Sequence, residues 1–445
     1  MLQKLLLKLL NPVVDGYTLE MFKQDFDKNP YVIITAMQKL GAKNIIESQI
    51  RAETGKTLGL PYGTNLKFSP WEHLLLNPRQ LFSMPTESLQ QIKTETIIGR
   101  GCKRPLKLSM PIMITGMSYG GSLSLPIKIA LAKGSGMVGT STNTGESVLA
   151  KEVRENAKYV IGQIHRGTLM SSKDLAYLDA IELRFGQGAW GGGAESIKYA
   201  TDIGPRLRCD WRLKENEDKF FAARLKGINS PADLIKYIDT LKEKYDVPIG
   251  IKIAATDFLE RELDVITSTN CDYIVLDGCE GGTAVAPPTL ADNLGLPTLY
   301  ALIRAVKYLE KKKIKDKFDL IITGGLTTPG HFLKALALGA KAVYIGSIAV
   351  FATIHNQAVK TLPELPPTQL ALYKGQYKNK LNIDLAARSL SNFLTSCNKE
   401  MKLALQAMGK KNISELSIDD LVSLDRNISD YTNIRYVLGE YNNKE

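Results

Sequence analysis

Residues 248–278 read "PIGIKIAATDFLERELDVITSTNCDYIVLDG". Two β-branched runs, "PIGIKIA" and "DYIVLDG", flank "DFLERELDVITST", whose apolar residues recur at helical spacing. Strand, helix and strand within about 30 residues make a βαβ unit, the building block of a parallel sheet covered by helices. The alternation continues in both directions. Upstream lie the strand candidates "PIMITGM", "GMVGTST", "YVIGQIH" and "DAIELRF", and downstream "DLIITGG" and "AVYIGSI". Helix-like stretches such as "LPIKIALAKGSG", "PADLIKYIDTLKEKY", "PTLYALIRAVKYLEKK" and "PGHFLKALALGA" separate them. Eight such units predict an α/β fold closed into a (β/α)8 TIM barrel.

The barrel is expected over residues 101–362. Residues 1–100 read as an N-terminal helical extension packing on the barrel, with "TETIIG" and "LKLSM" as short strands closing its floor. Residues 363–445 read as a C-terminal helical extension, charged and without strand patterning.

Composition narrows the function classes. Hydrophobic residues at 44% and charged residues at 23% fit a soluble globular chain of 445 residues. Five cysteines are scattered without a CxxC pair, which predicts neither a disulfide framework nor a zinc site and points to the reducing cytoplasm. The opening "MLQKLLLKLL" is broken by Lys8 and too short to span a bilayer, so no stable membrane insertion is expected. It reads as an amphipathic helix packed on the body, with reversible membrane contact as the alternative. The net charge of +11 sits in mixed runs such as "RLKENEDK" and "LEKKKIKDK", which read as solvated helix faces, and nucleic-acid binding is not expected.

In such a barrel the chemistry belongs to the loops at the strand C-terminal ends, and a phosphate commonly sits beyond the seventh and eighth strands. The glycines of "TGGL" (323–326) and "GSIA" (346–349) stand there. They allow backbone N–H groups to approach an anion, or they serve only tight turns. Other strand ends carry "GMSYGG" (116–121), "TNTGES" (142–147), "RFGQGAWGGGA" (184–194) and "DGCEGGTA" (277–284), while Lys252 rises from the fifth strand. Glycine backbone with one cation suits a flat flavin, whose reduced form is negatively charged near N1 and O2. The competing reading of Lys252 is a lysine inside the barrel paired with Glu146 or Asp277.

At these residues the sequence resembles the FMN-binding synthase domain of the glutamate synthase family and its stand-alone relatives. The matching pieces run in order as "TIIG", "PIMITGMSYG", "STNTGE", "IELRFGQGA", "IGIKIA", "LDGCEGGTAVAP" and "ITGGLTTPGHFLKALALGA", over residues 65–350. The resemblance implies an FMN-dependent oxidoreductase acting on CH–NH2 donors, in which 2-oxoglutarate and ammonia give 2-iminoglutarate that is reduced to glutamate by hydride transfer from flavin N5. It implies cofactor contacts at Met117, Ser118, Asn143, Lys252, Gly281, Gly282, Thr283, Gly324, Gly325, Gly346 and Ser347. It places Lys252, Glu146 and Gln187 in the catalytic machinery, and Arg184, Gln187, Trp190 and either Arg206 or Arg208 around the oxo acid. No metal site is implied.

Three departures qualify the resemblance. No glutaminase domain with an N-terminal cysteine fits this chain, so a separate glutaminase is expected to be its partner if glutamine is the nitrogen source. The cysteine cluster expected after the eighth strand is missing from "FATIHNQAVKTLPELPPTQLALY", so no iron–sulfur cluster is expected, and electrons come from a soluble reductant or an electron-donor protein. Trp190 stands where the family carries a lysine. A charge-assisted contact of about 1.5–3 kcal/mol is lost there if that lysine was buried. Either the substrate is less anionic, or Trp190 packs while Arg206 or Arg208 restores the charge. Two alternatives follow: an FMN oxidoreductase of a different small amino or hydroxy acid, and a flavin-binding electron-transfer or partner subunit without a complete substrate site.

Overall fold

Parallel pairing orders one eight-stranded sheet: β1 (Ile112–Ile114), β2 (Ser141–Asn143), β3 (Tyr159–Ile164), β4 (Ala180–Arg184), β5 (Ile249–Ala254), β6 (Tyr273–Asp277), β7 (Asp319–Thr323) and β8 (Ala342–Ile345). Consecutive strands pair from β2 to β8, and β8 pairs with β1. A parallel bridge between Gly116 and Asn143 joins the ends of β1 and β2 and completes the circle. Seven of the eight strands lie within runs that the sequence pattern predicts, and β2 extends one residue past "GMVGTST" to Asn143. The computed structural model describes residues 2–25, 27–29, 32–55, 71–190, 195–283 and 294–439, with the backbone alone for residues 2–10, Lys43, Glu47 and Ala189.

Among the described residues the helices are, in chain order, α1 (Leu2–Phe22), α2 (Val32–Leu40), α3 (Ala42–Thr54), α4 (Leu125–Met137), α5 (Lys151–Asn156), α6 (Ser172–Leu175), α7 (Pro205–Asp210), α8 (Pro231–Lys244), α9 (Leu259–Thr267), α10 (Thr298–Lys311), α11 (Pro329–Ala337), α12 (Ser347–Ile354), α13 (Ile383–Ala407) and α14 (Arg426–Thr432). Local chemistry explains their ends and faces. Ser230 accepts a hydrogen bond from the Asp233 N–H at 3.2 Å, Pro231 occupies the first turn, and α8 then buries Leu234, Ile238 and Leu241. α9 buries Leu259, Leu263 and Ile266 in the same way. Strands β5 and β6 are buried along their whole length, which is why they read as near-continuous apolar runs.

The barrel interior changes character from floor to mouth. At the floor, the antiparallel hairpin Thr96–Ile98 and Leu106–Leu108 brings Ile98, Leu106 and Leu108 against Met113, Ile161, Tyr273, Val275 and Ile321. This plug is the role that "TETIIG" and "LKLSM" predict. Above it comes a polar layer, described below.

The C-terminal residues depart from expectation. They contain two short strands, Leu421–Ser423 and Arg435–Tyr436, and the first pairs antiparallel with Leu74–Leu76. Segments of two and three residues show no alternation, so their strand character comes from pairing and not from local pattern. Contacts also join the two terminal portions, with Arg51 on Glu400 at 3.1 Å and Lys93 bridged to Asn412. A further antiparallel ribbon, Ser196–Lys198 with Lys219–Phe221, lies in the long insertion between β4 and α8 and escaped the sequence pattern for the same reason. In α1, Met21 is buried while Val13, Val14, Tyr17 and Phe22 are more than half exposed. The packing expected of the leucine run itself falls outside the described side chains. No helix among the described residues is long and apolar enough to cross a membrane.

Candidate active site

The polar layer inside the barrel centres on Glu182 of β4, a fully buried carboxylate. Tyr344 of β8 donates to its Oε2 at 2.9 Å, and Gln163 of β3 and Asn143 of β2 donate to its Oε1 at 2.6 and 3.3 Å. A bond from β8 to β4 crosses the lumen, so these side chains point inward. Burial and the neighbouring Glu182 charge push the Tyr344 phenol well above its ordinary range. Asn143 also accepts from the Gly145 N–H at 2.9 Å, which fixes the loop after β2. On its other side Lys128 of α4, fully buried, donates to the Asn143 carbonyl at 2.6 Å, and burial lowers its amine to about 7.

One step nearer the mouth stand the charged residues. Parallel register sets Arg184 of β4 directly beside Lys252 of β5. Two like charges side by side and nearly sealed from water demand acids. Lys252 Nζ lies 2.8 Å from Asp277 Oδ2 and 3.4 Å from Thr115 Oγ1 across the lumen. Arg184 pairs with Glu146 from the loop after β2, and Arg166 from the loop after β3 reaches the same carboxylate at 3.0 Å. Burial by itself would raise the Glu146 carboxyl, but Arg184, with help from Arg166, holds it below the usual carboxylate range. His165 is buried beside them, its Nδ1 accepting from the Gly167 N–H at 3.1 Å. Its Nε2 has no hydrogen-bond partner among the described residues. Burial pushes this imidazole down to about 4, so it is neutral at pH 7.

The cluster therefore holds three cations, Arg184, Arg166 and Lys252, against Glu146 and Asp277, with the buried Glu182 as a third carboxylate in the layer beneath. Two guanidinium forks on one carboxylate, at the strand ends of a barrel, suit an anionic ligand.

The remaining predicted residues fall into three groups. Met117 and Ser118 lie after β1, against the backbone of Gly145, so that the loops after β1 and β2 touch. Gly281, Gly282 and Thr283 follow β6, Gly324 and Gly325 follow β7, and Gly346 precedes Ser347 at the start of α12. A side chain at Gly282 would run into Ser347 Oγ, so the Gly282 backbone after β6 lies against the Ser347 hydroxyl after β8. In the β4 loop, Gln187 and Trp190 bracket a tight turn in which the Trp190 N–H bonds the Gln187 carbonyl at 3.1 Å. Gly188 between them lies against the Gly278 carbonyl with no room for a Cβ, which is what the glycines of "RFGQGAW" permit. Residues 191–194, the rest of that stretch, lie outside the described residues.

Arg206 and Arg208 are engaged away from this cluster. Arg206 holds Glu152 at 2.9 Å and Asp210 at 2.8 Å on the barrel exterior, and Arg208 donates to the carbonyls of Lys214 and Ala200 at 2.6 and 2.9 Å. Helix α7, which carries both, points their forks at its own surroundings. Arg166 stands at the cluster in their place, a residue that sequence reasoning missed. The signal was the "HRG" at the end of β3, a strand end whose loop carries no glycine cluster to draw notice. Arg166 also explains Trp190, which is 6% exposed and has the Arg166 guanidinium 5.6 Å above its ring.

Comparison with known proteins follows the same residues. Residues 72–411 match the conserved region in glutamate synthase. The chain is 30% identical over 423 residues to the archaeal-type glutamate synthase [NADPH] of Thermotoga maritima, covering 88% of this chain and 81% of that protein. It is 31% identical over 384 residues to the glutamate synthase large subunit-like protein of Rhizobium meliloti, covering 81% and 86%. Among solved structures, a flavocytochrome b2 variant with sulfite bound aligns with a TM-score of 0.52 at 16% identity, covering 88% of this chain and 86% of that one. A putative lactate oxidase of Pediococcus acidilactici aligns with a TM-score of 0.51 at 14% identity, covering 90% and 96%. At such identities these structures support the barrel fold alone.

Proposed function

The chain belongs to the glutamate synthase family, and on that premise we propose that it is an FMN-dependent oxidoreductase that reduces the imino acid formed from a 2-oxo acid and ammonia, 2-oxoglutarate being the first candidate. The observation that carries this reading is the pair of buried guanidinium groups, Arg184 and Arg166, sharing the single carboxylate of Glu146 beside Lys252. A substrate carboxylate would give the two guanidinium groups a second anionic partner, and the planar guanidinium fork is matched to it.

The strand ends fit FMN. The glycines at 282, 324, 325 and 346, with Ser347 at the N-terminus of α12, stand at the ends of β6, β7 and β8, where their N–H groups and the Ser347 hydroxyl would hold the phosphate. Lys252, Met117, Ser118 and Asn143 would line the ring portion, with Asp277 holding the Lys252 side chain in place. When bound, FMN supplies the hydride. The chain's own residues do the rest. Arg184 and Arg166 bind and orient the acid, Glu146 holds their forks apart, and Gln187 offers an amide at the edge of the site. Trp190, packed under Arg166, closes the wall where the family carries a lysine, and Arg166 restores the positive charge. The Trp190 substitution is thus compatible with a dicarboxylate substrate.

The electron donor is proposed to be a soluble reductant such as a reduced pyridine nucleotide, a reading favoured by the NADPH in the names of the archaeal-type relatives. The absorption spectrum of the purified protein tests the cofactor: flavin bands without iron–sulfur absorbance are expected. A colourless protein that does not take up added FMN contradicts the proposal.

A further inference from the structure

We propose that a second pocket, on the far side of Arg166 from the Glu146–Arg184 cluster, binds a phosphorylated nucleotide. It lies between the loop after β3 and the segment that follows the Lys219–Phe221 strand, and its volume is about 520 Å³. The inference goes beyond the oxo-acid reading and concerns a different set of residues.

Size is the first argument. The pocket is an open groove, and its volume is enough to seat a ligand larger than a five-carbon acid.

Charge is the second. Arg224 and Lys226 line the pocket two residues apart, both exposed, and neither makes a hydrogen bond, ion pair or ring contact among the described residues. Arg184, Arg166 and Lys252 of the active-site cluster are each held by an acid. Two uncommitted cations converging on one cavity create a site for a multiply charged anion, where Arg offers a fork and Lys a mobile point charge.

Shape and polarity are the third. Phe220, about half exposed, presents its ring to the pocket, while Thr168 and Asn229 add a hydroxyl and an amide. A simple dicarboxylate would use the cations and leave the aromatic wall bare. A base stacked on Phe220 with its phosphates on Arg224 and Lys226 uses all of it. Arg166 is the shared wall, with Nε on Glu146 at 3.0 Å and Nη1 on the Ala222 carbonyl of the pocket at 3.3 Å. A nucleotide seated there lies one side chain away from the proposed substrate cluster.

Isothermal titration of the full chain with ADP, inorganic phosphate and 2-oxoglutarate tests the proposal. ADP is expected to bind at one site per chain, with affinity falling about tenfold or more in Arg224→Ser/Lys226→Ser and in Phe220→Ser. Far-UV circular dichroism of these exposed-loop variants is expected to match that of the native chain. Absence of ADP binding overturns the proposal, as does ADP affinity unchanged in the double variant. Equal affinity for inorganic phosphate, with no loss in Phe220→Ser, also overturns it, since the pocket would then be a plain anion patch. Because binding is read without turnover, failure of the glutamate-forming reaction leaves this test intact, and the reverse holds too.

Discussion

Arg184 and Lys252 face each other across the parallel register of β4 and β5, two buried cations on adjacent strands with Glu146 and Asp277 as their separate acids. Such a pairing is unfavourable without the acids, and its persistence at the barrel mouth marks a place built for negative charge.

Lys252→Met leaves Asp277 buried without its cation. Breaking a buried pair in this way costs about 3–5 kcal/mol, so the variant is expected to be clearly destabilised in thermal denaturation as well as poor in FMN. Lys252→Met/Asp277→Asn removes both charges and is expected to recover most of the stability but none of the flavin affinity. Recovery of normal FMN content in the double variant would take Lys252 out of the cofactor site.

Arg166→Met removes one of the two forks proposed for the substrate carboxylate. The loss of a charge-assisted contact of about 1.5–3 kcal/mol corresponds to a rise of roughly tenfold to a hundredfold in KM for the oxo acid, with a smaller effect on kcat. Arg206→Met, on the barrel exterior, is expected to leave KM within about twofold. Steady-state kinetics of the two variants separate the cluster seen here from the clamp that the sequence pointed to; equal KM values would refute the assignment of Arg166.

Glu146→Gln leaves Arg184 and Arg166 facing each other with no carboxylate between them. The free variant is expected to lose stability, and 2-oxoglutarate is expected to raise its Tm more than that of the native protein, because the ligand then supplies the missing charge. An equal or smaller Tm increment in the variant would show that the acid binds elsewhere.

His165 sets a pH dependence. Its folded pKa of about 4 lies below the ordinary 6.5, so between these values the unfolded chain takes up a proton that the folded chain refuses. The contribution is complete above about pH 6.5 and is lost as pH falls through 4, on the order of 3 kcal/mol in all. Denaturant titrations from pH 7 to 4 are expected to show a shallower decline in His165→Gln. An identical slope in the variant would mean that the imidazole is already charged in the folded protein.

How much of this was legible in the sequence depended on the length scale of each signal. All eight barrel strands were, because a parallel strand buried on both faces is a continuous apolar run and the intervening helices carry caps and spacing of their own. The hairpin plug was legible too. The strands at Leu74–Leu76, Leu421–Ser423 and Ser196–Lys198 were not, since three residues carry no period and only their partners make them strands. Within the site, Arg184, Glu146 and Lys252 stood in motifs and could be named. Their pairing was legible in part: Asp277 was one of the two acids weighed for Lys252 and is the one it meets, whereas the hold of Arg184 on Glu146 was not legible, because register and loop approach decide which acid meets which base. Arg166 and Arg206 show the limit plainly: one follows β3 and the other sits in the insertion after β4, and only the fold turns the first toward Glu146 and the second toward Glu152.

The most direct measurement mixes chemically reduced, FMN-loaded protein with 2-oxoglutarate and ammonium under anaerobic conditions and follows both flavin absorbance and product. The account predicts reoxidation of the flavin with one glutamate formed per FMN, and no reoxidation when either reagent is omitted. Flavin that stays reduced with both reagents present, and no glutamate formed, would contradict it.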